Sequence, residues 1–167
     1  MTTVTFKGTP VHLTNTPPSV GQTIPQVTLV KNDLSRVNLS EFAGKTVLLN
    51  IYPSVDTGVC FKSVQRFNEL SKQHPDLAVV CISMDLPFAS TRVATAEGLD
   101  GVTFLSDFSD HAFGTATGLT LKDGPLAGVL ARSVIILDKD QKIKYFQLVP
   151  EITDGPDYDK AMAAFKA

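Results

Sequence analysis

The feature that most constrains the fold of this chain is a nearly continuous apolar run over residues 46–52, Thr-Val-Leu-Leu-Asn-Ile-Tyr. Because successive side chains of a strand face opposite sides of a sheet, the run predicts a central strand that is covered on both faces. A second run of the same character occupies residues 77–83, and a helical pattern over residues 58–73 separates the two. We therefore predict two parallel strands joined by a helical crossover.

The remaining patterns extend this unit in both directions along the chain. They predict an N-terminal hairpin within residues 3–14, a strand at 27–30, a helical turn at 40–44, helices at 88–98, 111–116 and 158–166, and strands at 104–106, 133–137 and 143–149. The order β-α-β-α-β, followed by a β-hairpin and a terminal helix, is that of a thioredoxin-like fold. We expect one α/β domain over residues 1–167, with a central mixed β-sheet flanked by helices and residues 1–14 as an N-terminal β-hairpin extension.

Charge and hydropathy exclude several classes of function. The chain has 167 residues, enough for one domain with a core, and a formal net charge of −2. This balance provides no basic field to attract nucleic acid or an anionic membrane. No apolar run approaches the roughly 20 residues that span a bilayer, and no basic segment followed by an apolar stretch indicates a secretory signal. We therefore expect no nucleic-acid or membrane partner and a cytoplasmic location.

The chain contains two cysteines, Cys60 and Cys81, so their reactivity matters more than any bridge between them. A reducing intracellular compartment would keep such a pair of thiols open. The three histidines, His12, His74 and His111, lie far apart with no cysteine at zinc-ligand spacing. We expect neither a bound metal nor a cofactor.

Cys60 falls in the first turn of the helix predicted for residues 58–73, directly after a polar turn. The backbone N–H groups of such a turn lack intrahelical partners and point toward an anion, and a thiolate is one. Lowering a thiol pKa by about two units requires roughly 2.7 kcal/mol. A helix terminus typically supplies about 0.3–1 kcal/mol. A cation or further hydrogen bonds must therefore contribute the remainder.

The position of Cys60 alone is equally compatible with a small, buried, unreactive side chain, because free cysteine is among the most buried residue types. That interpretation leaves the preceding residues unexplained. Pro53, Thr57 and Cys60 form the pattern Pro-x-x-x-Thr-x-x-Cys. The Thr57 hydroxyl comes three residues before the sulfur, near enough to orient either the sulfur or a bound oxygen.

This pattern matches the active-site motif of the peroxiredoxins, and the longer string over residues 50–60 resembles the bacterial thiol peroxidase subfamily, an atypical two-cysteine type. Residues 81–89, 96–99, 123–126, 130–132 and 151–153 resemble the same subfamily, so the resemblance spans essentially the whole sequence. It implies a thioredoxin-like homodimer that protects against oxidative stress. Its activity would be reduction of hydrogen peroxide and organic hydroperoxides to water and alcohols, with thioredoxin or another thiol as reductant.

The resemblance also implies a role for each matching position. Cys60 would be the peroxidatic nucleophile, attacking the terminal peroxide oxygen and becoming a sulfenic acid. Thr57 would bind the peroxide through a hydrogen bond, and Pro53 would shield the sulfur from bulk water. Arg132, at the start of a strand predicted to run beside the central one, would hold the thiolate and polarise the O–O bond. Arginine suits this task because it is planar, permanently charged and rich in donors.

One position departs from the subfamily pattern. Its members typically carry a resolving cysteine in a Cys-x-Ala-Glu-Gly context, and this chain has Ala94 in the corresponding place. Three explanations compete: an engineered replacement, a natural one-cysteine enzyme resolved by an external thiol, or resolution by Cys81. The apolar strand around Cys81 favours an inert, protonated thiol, and the close match around Ala94 favours engineered replacement. Without a resolving thiol, the Cys60 sulfenic acid would persist, react with an external thiol or oxidise further.

Two other functions remain open from the residues alone. Cys60 and Ser63 form a Cys-x-x-Ser pattern, which occurs in monothiol thioredoxin-fold oxidoreductases. A non-enzymatic redox sensor would use the same cysteine. The apolar side chains Leu86, Phe88, Phe113 and Leu126 could line a pocket for alkyl hydroperoxides, although core packing is the more common use of such residues.

Overall fold

A computed structural model describes residues 1–167 and contains two β-sheets. The smaller sheet is an antiparallel hairpin of β1 (Thr3–Phe6) and β2 (Thr9–His12). The larger sheet has the order β4-β3-β7-β6-β5-β8-β9 and comprises β3 (Thr28–Lys31), β4 (Arg36–Asn38), β5 (Thr46–Ile51), β6 (Leu77–Ser83), β7 (Val102–Ser106), β8 (Ser133–Leu137) and β9 (Ile143–Leu148). The helices are α1 (Gly58–Gln73), α2 (Pro87–Glu97), α3 (Ala112–Thr117) and α4 (Tyr158–Lys166), with a single 3-10 turn over Leu39–Phe42.

Strand β5 lies inside the large sheet, parallel to β6 and antiparallel to β8. Its side chains alternate between two buried clusters: Val47, Leu49 and Ile51 belong to one cluster and Leu48 to the other. Both faces of the strand are therefore covered, as the apolar run predicts. The mixed sheet, its helices and the separate N-terminal hairpin confirm the predicted α/β architecture.

Helix α1 begins where the polar turn after β5 ends. The Thr57 side chain accepts a hydrogen bond from the Cys60 N–H at 3.3 Å, the usual arrangement of a threonine N-cap. The helix ends at Gln73 because the next residue, His74, precedes Pro75 and is disfavoured in helical conformation. The cap fixes Cys60 as the third residue of the helix.

Two features differ from the sequence predictions. The pattern does not predict β4, because only Val37 of its three residues is apolar, and the strand forms through antiparallel pairing with β3. The prediction that Leu86 and Phe88 pack in the core is wrong, because these residues are 50% and 67% exposed. Pro87 between them is buried, so its neighbours face solvent. None of the four helices has the length and apolar character that crossing a membrane requires.

Candidate active site

Cys60 lies in the first turn of α1 and has no exposed surface. Its carbonyl accepts a hydrogen bond from Ser63 Oγ at 2.7 Å, and Asn50 Nδ2 donates to that hydroxyl at 3.1 Å. Asn50 belongs to β5, so this buried chain of hydrogen bonds ties the first turn of the helix to the sheet. The sulfur is therefore carried on a backbone that is fixed both by the Thr57 cap and by the strand behind it.

The turn that leads into α1 is held by the carboxylate of Asp85, which follows β6. Asp85 accepts hydrogen bonds from Ser54 Oγ and from the Val55 N–H, both at 2.7 Å, and from Ser83 Oγ at 2.8 Å. Hydrogen bonds to an ionised acceptor are roughly twice as strong as neutral ones. Sequence reasoning missed this clamp because Ser54 and Asp85 are 31 residues apart, and no local pattern relates them.

Arg132 immediately precedes β8, and the pairing of β8 with β5 fixes its place. Ser133 is opposite Ile51, so Arg132 lies beside the end of β5, where the chain leaves the sheet toward Pro53. The Arg132 side chain is 3% exposed, and its Nε donates to the Ile152 carbonyl at 3.0 Å. Its Nη1 is the one buried side-chain nitrogen or oxygen without a hydrogen-bond partner. An unsatisfied buried donor is costly, so its presence points to a polar group that binds there.

A cavity of about 130 Å³, here named the Arg132 cavity, lies between Arg132 and the turn that leads into α1. Its wall contains three predicted catalytic residues, Pro53, Thr57 and Arg132, and the predicted pocket residue Leu126. The other residues that line it are Phe6, Gly58, Val59, Ile152 and Thr153. Cys60 follows Val59 of the wall but is itself buried and contributes no surface. The cavity thus combines a mostly apolar wall and one cationic donor with the N-terminus of the helix that carries Cys60.

Tyr158, the first residue of α4, lies within electrostatic range of this site. Burial raises the pKa of its phenol, the positive charges of Arg132 and Arg66 act to lower it, and an ionised Cys60 acts to raise it. Its ring also packs against Phe67 of α1, with ring centroids 5.1 Å apart. Sequence reasoning did not identify Tyr158, because an aromatic residue near the start of a closing helix is typical of simple packing.

The second cysteine has a different environment. Cys81 lies inside β6, is 1% exposed, and its Sγ is 3.9 Å from Asn50 Nδ2. Burial raises the pKa of the Cys81 thiol to about 12. The side chain is thus a protonated core residue at neutral pH, in agreement with the inert thiol expected from the apolar run.

Ala94, the position at which the subfamily pattern has a resolving cysteine, lies on α2. It packs at the margin of the buried cluster that contains Cys60, but it lines a different cavity together with residues 31–33, Leu99 and residues 102–104. Between α2 and the turn before α1 lies a separate opening of about 250 Å³, where Arg92 Nη2 contacts Asp56 Oδ1 at 2.9 Å. The cavity that Ala94 lines and the Arg132 cavity have no lining residue in common.

The remaining predicted pocket residues do not reach the Arg132 cavity. Leu86 and Phe88 are exposed and do not line it, and Phe113 is fully buried in the other core cluster. Only Leu126 of these four apolar residues lines the cavity. No group of three or more His, Cys, Asp or Glu side chains that could hold a metal ion occurs in the structure.

Comparison with known families matches residues 19–162 to the redoxin family. The chain belongs to the redoxin family. A relative, the thiol peroxidase of Corynebacterium glutamicum, is 45% identical over 159 residues, which cover 95% of this chain and 96% of that protein. This redoxin is therefore a homologue of a thiol peroxidase over nearly its whole length.

Two solved structures have the same fold as this chain. A peroxiredoxin-like protein from Aquifex aeolicus, 36% identical, superposes with a TM-score of 0.93 and covers 98% of this chain and 95% of that one. A thiol peroxidase from Chromobacterium violaceum, 20% identical, superposes with a TM-score of 0.89 over 98% of this chain and 95% of that one. These superpositions confirm the thioredoxin-like fold predicted from the order of elements.

Proposed function

We propose that this redoxin is a thiol-dependent peroxidase in which Cys60 attacks the peroxide and becomes a sulfenic acid. The observation that carries the proposal is the unpartnered Nη1 of the buried Arg132, in the wall of a cavity that it shares with Thr57 and Pro53. A cation with a free donor beside a helix N-terminus suits an oxygen that gains negative charge. The 45% identity to a protein named thiol peroxidase supports the same activity.

The chemical step follows from these positions. The Cys60 thiolate attacks the terminal peroxide oxygen, so that an S–O bond forms while the O–O bond breaks. The sulfur loses two electrons, the peroxide gains them, and the departing alkoxide or hydroxide takes a proton and leaves as alcohol or water. Arg132 stabilises the charge on the departing oxygen. A hydroxyl oxygen has two lone pairs, and Thr57 uses one for the Cys60 N–H, so the other can accept the peroxide O–H.

The burial of Cys60 shapes access to the sulfur. Cys60 has no exposed surface, and we assign its shielding from bulk water to Pro53 and the first turn of α1. A peroxide needs a small displacement of the wall between Pro53 and Val59 to bring its oxygen into contact. A protein thiol is far larger and needs the first turn to open. We therefore expect the first reduction of peroxide to precede a slower reaction with the reductant.

The second half of the cycle depends on an external thiol. Ala94 supplies no sulfur, and the buried Cys81, whose pKa is raised to about 12, is a poor nucleophile. The sulfenic acid on Cys60 would therefore wait for thioredoxin or another thiol, or oxidise further to sulfinic acid. A homodimer, a cytoplasmic location and a single domain over residues 1–167 stay predictions.

Stopped-flow mixing tests the proposal directly. Reduced protein is mixed with stoichiometric hydrogen peroxide or cumene hydroperoxide, and Cys60 sulfenate is trapped and located by intact mass and peptide analysis. We expect oxidation of Cys60 much faster than that of free cysteine, with a gain of one oxygen atom per chain. A rate near that of free cysteine would contradict the proposal. Rapid formation of a mixed disulfide with glutathione, without fast peroxide reaction, would instead favour the monothiol oxidoreductase.

A further inference from the structure

The carboxylate of Glu151 accepts five hydrogen bonds at a turn just outside the Arg132 cavity. Its donors are Thr5 Oγ1 at 3.0 Å, the Lys7 N–H at 3.2 Å, the Gly8 N–H at 2.8 Å, the Thr153 N–H at 3.0 Å and Thr153 Oγ1 at 2.9 Å. These bonds, led by the two backbone donors Thr153 and Gly8, lower the pKa of Glu151 to about 2. The carboxylate is therefore ionised at every pH at which the enzyme would work.

One of these bonds bears on Arg132 through a shared peptide group. The Ile152–Thr153 peptide donates its N–H to Glu151 and presents its carbonyl to Arg132 Nε at 3.0 Å. Because a trans peptide is planar and its N–H and C=O point in opposite directions, fixing the N–H on the carboxylate aims the carbonyl at the arginine. The adjacent negative charge also polarises the peptide and makes the carbonyl a stronger acceptor.

The N-terminal hairpin holds the carboxylate from the other side. Lys7 and Gly8 form the turn between β1 and β2 with φ of 51° and 81°, and both direct their N–H groups to Glu151. The Ile152 N–H also donates to the Thr5 carbonyl at 2.8 Å. Through these contacts the hairpin fixes the backbone of residues 151–153, and its Phe6 becomes part of the cavity wall.

We propose that Glu151 is a positioning residue for Arg132, a role that rests on the proposed function. Glu151 touches neither the cavity nor the arginine itself. It orients the Ile152 carbonyl, the carbonyl holds Nε, and Nη1 of the same guanidinium has no hydrogen-bond partner within the protein. The hairpin holds the same carboxylate from the outer side of the turn.

The test measures the rate of Cys60 oxidation in a double-mutant cycle of Glu151→Ala and Arg132→Lys. We expect Glu151→Ala to react about tenfold more slowly, because small errors of alignment cost large factors in rate. In the Arg132→Lys background, Glu151→Ala should change the rate less than about twofold, since the guanidinium that it positions is gone. An equal loss in both backgrounds would indicate a general structural effect and overturn the proposal.

The Glu151→Asp variant distinguishes the positioning of Arg132 from the attachment of the hairpin to residue 151. An aspartate accepts the N–H two residues ahead in an Asx turn, so it keeps the Thr153 contact, but its shorter side chain loses Lys7 and Gly8. We expect a rate within about twofold of wild type despite the weaker hold on the hairpin. A Glu151→Asp protein as slow as Glu151→Ala would overturn the proposal.

Asp123→Ala serves as the matched control. Asp123 holds the same hairpin at β2, accepting the His12 N–H at 2.8 Å and lying 2.7 Å from His12 Nδ1, but it has no link to Ile152. Its rate should stay within about twofold of wild type while its thermal midpoint falls. If Glu151→Ala is unfolded at the assay temperature, Glu151→Gln replaces it, with an expected loss of about threefold because a neutral acceptor is weaker.

The outcomes also separate this inference from the function on which it rests. A slow wild-type reaction with peroxide removes the proposed function. A fast wild type that Arg132→Lys slows, together with a Glu151→Ala protein of unchanged rate, removes only the role of Glu151.

Discussion

The two cysteines of this redoxin are buried to almost the same degree. Cys60 and Cys81 are 0% and 1% exposed, and both belong to the same buried cluster. They differ in the backbone and charge around them: Cys60 is the third residue of a helix beside the Arg132 cavity, whereas Cys81 lies inside a strand. We therefore expect the difference in reactivity to come from the helix start and the Arg132 cation beside Cys60, neither of which lies beside Cys81.

The two cysteines should differ most in the effect of their replacement by serine. Cys60→Ser should slow peroxide reduction by a factor on the order of 10⁴ or more, because a hydroxyl is not ionised at neutral pH. Cys81→Ser should stay within about twofold of wild type, since the residue makes no contact with the cavity. Stopped-flow rates of the two variants and of wild type give the comparison. Equal losses would mean that Cys81 takes part in the reaction.

The next effect concerns the cation that distinguishes the two sites. Arg132→Lys keeps the charge but loses the planar set of donors, so we expect the rate of Cys60 oxidation to fall about 10²-fold, comparable to loss of an oxyanion-hole donor. The matched control is Arg92→Lys, because Arg92 contacts Asp56 on the exposed side of the turn and does not line the Arg132 cavity. Similar losses for both arginines would contradict a special role for Arg132.

The raised pKa of Cys81 predicts a loss of stability in alkali. Burial raises this pKa from its ordinary value of 9.0 to about 12, so between these limits the folded state keeps the proton and the unfolded state releases it. Stability is therefore full below pH 9 and falls as the pH rises toward 12. From about pH 8 to about pH 10.5, wild type should lose roughly 2 kcal/mol more unfolding free energy than Cys81→Ala. Urea unfolding measures this difference, and parallel pH profiles for both proteins would show that Cys81 ionises as it would in water.

The smallest effect separates the helix cap from the chemistry. Thr57→Val should reduce the free energy of unfolding by about 1 kcal/mol through loss of the N-cap, and should also slow Cys60 oxidation about fivefold through loss of the lone pair for the peroxide. Asp157→Ala removes the corresponding cap of α4, where Asp157 accepts the Lys160 N–H at 3.0 Å. That variant should lose similar stability with no change in rate. A rate loss common to both caps would reduce Thr57 to a structural role.

Much of the fold could be predicted because its strongest signals are local. The apolar runs at β5 and β6, the helix over residues 58–73 and the closing helix over residues 158–166 all have the predicted bounds to within a residue. The prediction that the strand after Arg132 lies beside the central one is confirmed by the pairing of β8 with β5. Strand β4 has one apolar residue, so its existence depends on β3, which no local pattern of its own could indicate.

The site, like the fold, has one part that local sequence patterns predict and another part that they do not. A spacing motif relates Pro53, Thr57 and Cys60 because they lie within one turn and one helix start, and the structure places the first two in one cavity wall. The residues that hold this site in place come from elsewhere: Asp85 contacts Ser54 across 31 residues, and Glu151 contacts Gly8 across 143. Such clamps follow from the assembled fold, so local sequence reasoning could not find them.

The clamp at Glu151 has a consequence for the order in which the site forms. It joins segments that are 143 to 146 residues apart, a separation at which contacts form late because closing long loops costs entropy. During synthesis, α1 and the strands beside it can form while residues 150–153 are still absent. Peroxide reactivity should therefore mature after most of the secondary structure, and a refolding chain would regain its helices before its full rate of oxidation at Cys60.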